Sequence, residues 1–373
     1  MSDLSKIIAN LSPEKRAQFL ARLRANSQAE GKPIAREVDF TENFEYRFQS
    51  ETPFDFRPFQ VDVQDPEPGC VQIQAKASSL NFRDVMIASR LYPASPGVPT
   101  NMGSDYAGVV EKVGEGVTTV KPGDEVIALH VGHVENGVVK ENCHFIRTFN
   151  VFEECVCRKP ANISFEAAAC IPTVFLTAYI GLIKLADLKP SEKVLIHSAA
   201  GGVGLSAVQV AQWRGAEIYA TAGTDEKRKF LLAHGVKQAF DSRTSSFAEA
   251  LLTADIGMDV ILNTLSGELM TESMKLLRPF GRFIHIDKKD VSANFMLPMS
   301  LFINGISFQF LDISLLFKNP KLLNASLQEL LHLFEQGDFM PIEHTVFHAA
   351  DLKKAIASLS RGTHVGKMVI QYR

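Results

Sequence analysis

A glycine-rich segment in the middle of the chain has the spacing of a nucleotide-binding turn. Ala199, Gly201 and Gly204 lie between the apolar segment KVLIHS and the helix-like segment LSAVQVAQWRG. Small residues at this spacing allow a tight bend, a close approach of the backbone to a diphosphate and close packing of the helix on the strand. The first N–H groups of the helix would then point at the phosphates. We predict that a dinucleotide binds the residues of this turn, namely Ala200, Gly201, Gly202, Val203 and Gly204.

The strand-like segment that follows, EIYATAG, ends without the carboxylate that an NAD enzyme usually presents to the adenosine ribose. Thr224, Lys227 and Arg228 come next. A hydroxyl and two cations suit a 2′-phosphate, which Arg binds bidentately and which a carboxylate would repel. We therefore expect NADPH as the cofactor. The alternative is that Lys227 and Arg228 only form the solvated first turn of a helix.

Strand-like and helix-like segments alternate around this turn. KVLIHS, EIYATAG, DVILNTL and GRFIHI have the composition of buried strands, and EKRKFLLAHG and ELMTESMKLL have that of helices. This alternation predicts a doubly wound parallel sheet over residues 161–305. Ligands bind at the carboxyl ends of parallel strands, so Asn263 is expected to contact the ribose or the carboxamide of the cofactor. Thr173 and Thr177 are further candidates, with helix packing as the alternative role.

The flanking regions have different patterns. Residues 36–160 contain the alternating segments VQIQAKA, YAGVVEKVG and DEVIALHV, separated by Gly, Pro and Asp, which predict short antiparallel strands. Residues 306–373 contain a strand, helix and strand pattern that fits either domain. Residues 1–35 contain a cap at Ser12, a Pro at the first helical position and the helical segment RAQFLARLRA. That helix is predicted either to dock or link domains, or to pack on its own domain.

Length and composition indicate a globular protein of more than one domain. The chain has 373 residues, of which 46% are hydrophobic and 22% charged, and a single core seldom exceeds about 300 residues. The net charge of −3 argues against a nucleic-acid binder. Five irregularly spaced cysteines favour a reducing compartment. The absence of a long apolar run and of a secretory signal predicts a cytoplasmic protein without a membrane span.

Five segments together resemble a known family. They are LNFRDVMIASRLYP (80–93), GSDYAGVVEKVGEGVTTVKPGDEV (103–126), AAGGVG (199–204), DVILNTLSGE (259–268) and HVGKMVI (364–370). From about residue 40 onward the chain resembles the medium-chain dehydrogenase/reductase superfamily. Within it, the NFRD and HVGK segments resemble the enoyl reductase domains of polyketide synthases, in the zinc-free branch that is similar to quinone oxidoreductases.

This resemblance implies both a fold and a reaction. The fold is α/β, with a Rossmann-type domain (161–305) inserted into a β-rich, GroES-like substrate domain (36–160 and 306–373). The C-terminal segment thus returns to the first domain, and NADPH lies in the cleft. The reaction is hydride addition to the β carbon of an α,β-unsaturated thioester carried by an acyl carrier protein, followed by protonation of the α carbon.

The resemblance also implies catalytic residues. Tyr92 occupies the position of a family tyrosine linked to α-carbon protonation, and a phenol suits this role because it is neutral at pH 7 yet acidic enough for an enolate. Packing beside Pro93 is the alternative. Lys288 stands where the family has a lysine that acts as proton donor or anchor, so we expect it to contact the cofactor or substrate. Asp312 stands where the family has an aspartate that pairs with this lysine.

Two residues depart from the family pattern. Asp287 stands where Gly usually precedes the lysine, and Asp105 stands where Glu is usual. A carboxylate at Asp287 would raise the pKa of the Lys288 ammonium and favour anchoring over proton donation. From the same resemblance, Asn81 and Arg83 are expected to line the cleft near the nicotinamide, with a solvated turn as the alternative.

No metal site is predicted. The resemblance implies that zinc-dependent relatives would have Cys and His ligands at the positions of Asn81 to Asp84, together with a four-Cys lobe that this chain lacks. His130-x-x-His133 and Cys155-x-Cys157 do not complete a tetrahedral ligand set.

Three other functions stay open from the sequence alone. The same hydride step also serves reductive ring closure, as in cyclopropane formation, when the α-carbanion displaces a leaving group. A soluble NADPH quinone oxidoreductase shares the fold and cofactor, and a non-catalytic NADPH-binding protein would use the N-terminal helix for interaction. The expected partners are an acyl carrier protein and, through that helix, other synthase domains. The acyl substrate and the oligomeric state, monomer or homodimer, stay open.

Overall fold

The structure is a computed structural model and describes residues 38–93, 100–130 and 132–372. The predicted helix within residues 1–35 lies outside this range. The strands are β1 Phe44–Phe48, β2 Phe56–Gln60, β3 Cys70–Ser79, β4 Asp105–Val113, β5 Glu125–Leu129, β6 Val134–Glu135, β7 Val138–Val139, β8 Thr148–Phe152, β9 Val156–Arg158, β10 Lys193–Ile196, β11 Glu217–Ala222, β12 Gln238–Asp241, β13 Met258–Asn263, β14 Leu277–His285, β15 Ser307–Phe310, β16 His344–His348 and β17 Lys367–Gln371.

The α-helices of the described residues lie between these strands. They are α1 Phe82–Ala88, α2 Phe165–Ala169, α3 Pro172–Tyr179, α4 Gly202–Trp213, α5 Asp225–Ala233, α6 Ser246–Thr253, α7 Glu268–Met274, α8 Lys288–Ser292, α9 Pro320–Gln336 and α10 Leu352–Arg361. Pro172 occupies the first turn of α3, where its missing N–H costs no hydrogen bond. A π-helical segment, Ile180–Leu185, continues from α3.

A six-stranded parallel sheet forms the half of the protein that contains the glycine turn. Its strand order is β12-β11-β10-β13-β14-β15, and its central strands β10 and β13 are buried along almost their whole length, as their apolar sequences predict. The chain order reverses between β10 and β13. This reversal opens a crevice at their carboxyl ends, which is where doubly wound sheets bind dinucleotides.

A seven-stranded sheet forms the other half. Strands β16, β17, β3, β4, β5 and β9 are neighbours in that order, and β8 also pairs with β3. The last strand of the chain, β17, pairs antiparallel with β3 through the partners Val369 and Ser79. The strand, helix and strand pattern near the C-terminus is therefore correct, and this segment returns to the first sheet, as the family resemblance implies.

The parallel sheet extends beyond the limit of residue 305 that the sequence pattern set. Strand β15 pairs with β14, with Ser307 opposite Arg282 and Phe310 opposite His285. The sequence missed this strand because SFQF is short and only partly buried at the sheet edge. The crossing back to the first domain therefore follows Phe310.

A continuous hydrophobic core joins the two halves. One cluster of buried side chains includes Ile73 on β3, Phe175 on α3 and Ile196 on β10, so α3 packs between the sheets. A second cluster lies on the other face of the parallel sheet, around Phe247 and Phe283. No helix in the described part of the chain is long and apolar enough to cross a bilayer.

Candidate active site

The glycine turn between β10 and α4 has the geometry that a diphosphate requires. A Cβ at Gly204 would lie 2.4 Å from the Cα of Ala199, so only glycine permits this close packing of helix on strand. A Cβ at Gly201 would meet only the carbonyl oxygen of Ser198, at 3.4 Å, so the backbone is accessible there. The N–H groups of Gly202, Val203 and Gly204 begin the helix and have no intrahelical acceptors. These features fit a bound phosphate.

Two hydroxyl groups at this crevice were missed by the sequence analysis. Ser198 Oγ and Thr264 Oγ1 lie 2.8 Å apart and connect the ends of β10 and β13. Ser198 has a positive φ of 53°, a conformation that is uncommon outside glycine and often marks functional sites. The sequence signal that could have identified Ser198 is its position directly before the glycine turn.

The predicted 2′-phosphate residues lie together at the end of β11, and each has a protein partner. Thr224 caps α5 by accepting a hydrogen bond from the N–H of Lys227 at 3.3 Å. Lys227 Nζ donates to the carbonyl oxygen of Gly362 at 2.8 Å. Arg228 donates to the carbonyl oxygen of Ala222 at 2.9 Å and forms an ion pair with the adjacent Asp225. The cations are therefore fixed at this strand end.

Arg243 is a further cation at this end of the sheet. A Cβ built on Gly223 would lie 3.4 Å from Arg243 Nε and 3.6 Å from its Nη2. The exposed guanidinium therefore lies beside the residue that follows β11. The sequence analysis missed it because Arg243 follows a different strand, β12. The parallel pairing of β11 with β12 brings these residues together.

The three predicted catalytic residues meet in one cluster. Lys288 Nζ donates to Tyr92 Oη at 2.8 Å and lies 2.6 Å from Asp312 Oδ2. Lys288 begins α8 just after β14, and Asp312 follows β15, so two adjacent parallel strands place this pair. The lysine and aspartate side chains are only 18% and 8% exposed. An ammonium group thus connects a phenol with a carboxylate at the edge of the cleft.

The charges of this cluster are fixed by its neighbours. Burial alone would raise the pKa of Asp312, but hydrogen bonds from Lys288 and Ser314 and the charge of Lys288 hold the pKa below its usual value. The extra carboxylate noted in the sequence, Asp287, caps α8 by accepting from the N–H of Lys289 at 3.1 Å. Asp312 forms an ion pair with Lys288 at 2.6 Å.

Arg83 contacts the aromatic ring of Tyr92. Its guanidinium carbon lies 5.1 Å from the centroid of the Tyr92 ring, and its Nη1 donates to the carbonyl oxygen of Asn101 at 2.6 Å. The attraction between a cation and an aromatic face restrains the ring. The expected place of Arg83 near the nicotinamide stays a prediction.

Asn81 lies in a buried polar network. Its Oδ1 accepts from Lys367 Nζ at 2.6 Å, and its Nδ2 donates to Asp105 Oδ2 at 2.9 Å. Asp105 also accepts from Thr173 Oγ1 at 2.6 Å. Lys367 lies in the HVGK segment, but the sequence analysis assigned it no role, because nothing along the chain indicates its contact with Asn81.

Two other predicted cofactor residues have supporting positions. Asn263 is fully buried, and its amide binds the backbone of Leu265 and, at 2.9 Å, Nδ1 of His285. These hydrogen bonds connect the carboxyl ends of β13 and β14. The next residue, Thr264, contacts Ser198 beside the glycine turn. Thr177 Oγ1 donates to the carbonyl oxygen of Thr173 within α3 at 2.7 Å. This hydrogen bond within the helix supports the helix-packing role of Thr177.

Within the described residues, no group of three or more His, Cys, Asp or Glu side chains is arranged to hold a metal ion. Burial raises the pKa of the thiols of Cys155 and Cys157 to about 12. His130 Nδ1 accepts from the N–H of Gly132 at 3.1 Å. The absence of a metal stays a prediction from the sequence.

Comparison with known proteins identifies the class and then the family. The family model "Alcohol dehydrogenase GroES-like domain" matches residues 67–173, and "Zinc-binding dehydrogenase" matches residues 234–370. The structure is similar to that of the CurK enoyl reductase, with a TM-score of 0.77 and 32% identity over 88% of this chain and 99% of that one. Similarity to the CurF cyclopropanase of curacin A biosynthesis is comparable, with a TM-score of 0.79 and 30% identity over the same shares.

One less similar structure and one much longer protein also match this chain. Quinone oxidoreductase from Escherichia coli, solved with NADPH, gives a TM-score of 0.75 and 25% identity over 88% of this chain and 99% of that one. The reducing polyketide synthase rdc5 of Metacordyceps chlamydosporia is 37% identical over 310 residues, which are 81% of this chain and 12% of the synthase. The chain therefore spans only about an eighth of that relative.

The fold and the site define an oxidoreductase of the medium-chain dehydrogenase/reductase superfamily that uses a nicotinamide cofactor. Within that superfamily, the chain belongs to the enoyl reductase family of polyketide synthases.

Proposed function

We propose that this protein reduces an α,β-unsaturated acyl thioester, presented by an acyl carrier protein, with NADPH as the hydride source. The observation that carries the proposal is the cluster in which Lys288 joins Tyr92 and Asp312. This cluster provides an acidic hydroxyl and a fixed positive charge, which an enolate needs when it accepts a proton.

The cofactor is proposed to extend along the crevice from Arg243 to Asn81. Gly202, Val203 and Gly204 would bind the diphosphate through their N–H groups. Thr224, Lys227, Arg228 and the newly identified Arg243 would bind the 2′-phosphate, and this group of cations supports NADPH over NADH. When bound, NADPH supplies a hydride to the β carbon of the substrate.

The chain's own residues then complete the reaction at the α carbon. Tyr92 transfers its phenolic proton to the enolate. Lys288, whose Nζ already donates to Tyr92 Oη at 2.8 Å, stabilises the resulting phenolate and supplies the replacement proton. Asp312 keeps the ammonium in this position through its contact of 2.6 Å. Each group is held before the reaction, so little reorganisation is needed.

Reductive ring closure is the second proposed function. The similarity to the CurF cyclopropanase favours it, because the same hydride step produces the carbanion in both reactions. The proton donor beside Lys288 favours saturation, since a carbanion that is protonated at once has no time to displace a leaving group. We therefore place simple reduction first, and quinone reduction after both.

One assay separates these functions. The protein is incubated with NADPH and, in parallel, a 2-enoyl thioester, the same thioester with a leaving group on the γ carbon, and a soluble quinone, and the products are identified by mass. We expect saturated thioester in the first two reactions. Cyclopropane from the second would support ring closure, whereas quinone turnover without thioester turnover would contradict the proposal.

A further inference from the structure

Lys367 is a lysine buried where the two halves of the protein meet. It begins β17, and its side chain is 3% exposed. Its Nζ donates to Asn81 Oδ1 at 2.6 Å and to Asp105 Oδ2 at 3.2 Å, and Asn81 Nδ2 donates to the same carboxylate oxygen at 2.9 Å. The three side chains close a ring of hydrogen bonds. Such pairing is what makes a buried charge stable.

The carboxylate of this ring is held from its other side as well. Asp105 Oδ1 accepts from Thr173 Oγ1 at 2.6 Å and from the N–H of Thr173 at 3.2 Å. Asp105 is fully buried. The ring is therefore anchored to α3, which packs between the two sheets, and it cannot shift without breaking charged hydrogen bonds.

The aliphatic part of Lys367 lies against the glycine turn. A Cβ built on Gly202 would be 2.8 Å from Lys367 Cδ and 3.3 Å from its Cγ. The neighbouring N–H of Gly366 donates to the carbonyl oxygen of Ala200 at 2.9 Å. One side chain therefore contacts both the turn proposed for the diphosphate and the amide of Asn81.

Asn81 has limited capacity for further hydrogen bonds. Its Nδ2 donates to Asp105 and, at 3.3 Å, to Ser104 Oγ, and one lone pair of its Oδ1 accepts from Lys367. The same Oδ1 also faces the N–H of Asp84 in the capping box that begins α1, so an N–H or O–H group of a ligand would share this acceptor. A primary carboxamide carries such N–H groups.

We propose that Lys367 is a positioning residue for the nicotinamide end of the cofactor. Its ammonium fixes the Asn81 amide with the oxygen as the acceptor, and its stem supports the turn that would hold the diphosphate. The inference rests on the cofactor assigned in the proposed function. Through Lys367, the HVGK segment contacts both the turn proposed for the diphosphate and the amide proposed for the nicotinamide.

The test is the variant Lys367→Met, which keeps the stem against Gly202 and removes the ammonium. Dissociation constants are measured for NADPH and for 2′-phospho-ADP-ribose, which lacks the nicotinamide. A hydrogen bond to a charged group is lost, so we expect NADPH to bind roughly tenfold more weakly. Affinity for the truncated ligand should stay within about twofold.

Lys159→Met is the matched control. Lys159 is also 3% exposed at its side chain, but it binds Glu125 and the carbonyl oxygens of Pro160 and Ile163. Both variants lose a buried ammonium, and only Lys367→Met should change the NADPH dissociation constant. If Lys367→Met does not fold, the pair Lys367→Met with Asp105→Asn removes both charges and is measured instead.

A double-variant cycle with Asn81→Ala completes the test. If Lys367 acts through Asn81, removing it from the Asn81→Ala protein should not weaken NADPH binding further. Equal losses for NADPH and 2′-phospho-ADP-ribose, unchanged NADPH affinity, or additive effects of the two substitutions would each overturn the inference. Failure of the unsubstituted protein to bind NADPH would instead contradict the proposed function.

Discussion

Replacing Asp312 with Asn tests whether the ion pair holds Lys288 for the reaction. Asp312 Oδ2 lies 2.6 Å from Lys288 Nζ, while its Oδ1 accepts from the N–H of Ser314 at 3.0 Å and from its Oγ at 2.7 Å. An Asn has a single oxygen. If that oxygen faces Ser314, the amide NH₂ faces the ammonium. If it faces Lys288, the NH₂ meets the N–H of Ser314. Either orientation brings two donors together.

The size of the effect follows from these contacts. A hydrogen bond to a charged group contributes about 1.5–3 kcal/mol, and the pair is too buried for water to screen it strongly. Each 1.4 kcal/mol corresponds to about a tenfold change in rate. If Lys288 supports proton transfer from Tyr92, we expect Asp312→Asn to lower kcat/KM for the enoyl thioester by roughly 10- to 100-fold.

The assay is NADPH oxidation under saturating cofactor, together with deuterium incorporation at the α carbon in D₂O. Ser314→Ala is the control, since it removes one hydroxyl donor to Asp312 and leaves the ion pair intact; because Asp312 keeps its charge and its contact with Lys288, kcat/KM should fall by no more than about threefold. Wild-type kcat/KM and wild-type stereochemistry in a folded Asp312→Asn protein would refute the role assigned to the pair.

Three further predictions follow from the site and its surroundings. Tyr92→Phe should slow α-carbon protonation or alter its stereochemistry, measured by deuterium placement in the product; no change in either would remove Tyr92 from the mechanism. Arg243→Ala should weaken NADPH binding roughly tenfold by loss of a charged hydrogen bond and leave NADH binding unchanged, whereas equal effects on both would contradict a 2′-phosphate contact. Burial lowers the pKa of His130 and His144 to about 3, so below pH 6.5 the unfolded chain binds more protons than the folded protein. Each histidine should therefore reduce the free energy of unfolding by about 1.4 kcal/mol per pH unit as the pH falls toward 3. Urea midpoints that stay constant from pH 7 to pH 5 would disprove this.

Local patterns predicted the strand, the turn and the helix around the glycine motif correctly because these elements depend on nearby residues. The apolar segment KVLIHS became β10, and the small residues after it form the turn into α4. Gly204 illustrates the reason, since a Cβ there would clash with the backbone of Ala199 only five residues away. Contacts of this range are encoded in spacing.

Contacts between distant segments were not predictable in this way. Arg243 reaches Gly223 because β11 and β12 pair in parallel, and the sequence does not give that register. The orientation of Asn263 was also not predictable from its position in the sequence. This residue stands at the predicted strand end, but its amide binds His285 and Leu265 in the interior. Position at a strand end specifies the edge of a sheet and not the direction of a side chain.

Asp105 departs from the family pattern, and its hydrogen bonds join distant segments of the chain. The family resemblance implies Glu at this position, and a Glu would add a methylene to a fully buried site whose oxygens already bind Thr173, Asn81 and Lys367. Added volume in such a site forces its neighbours to shift. The shorter carboxylate therefore sets where Lys367 and Asn81 rest. Asp105, which binds both Asn81 and Lys367, thus determines the position of the Asn81 amide.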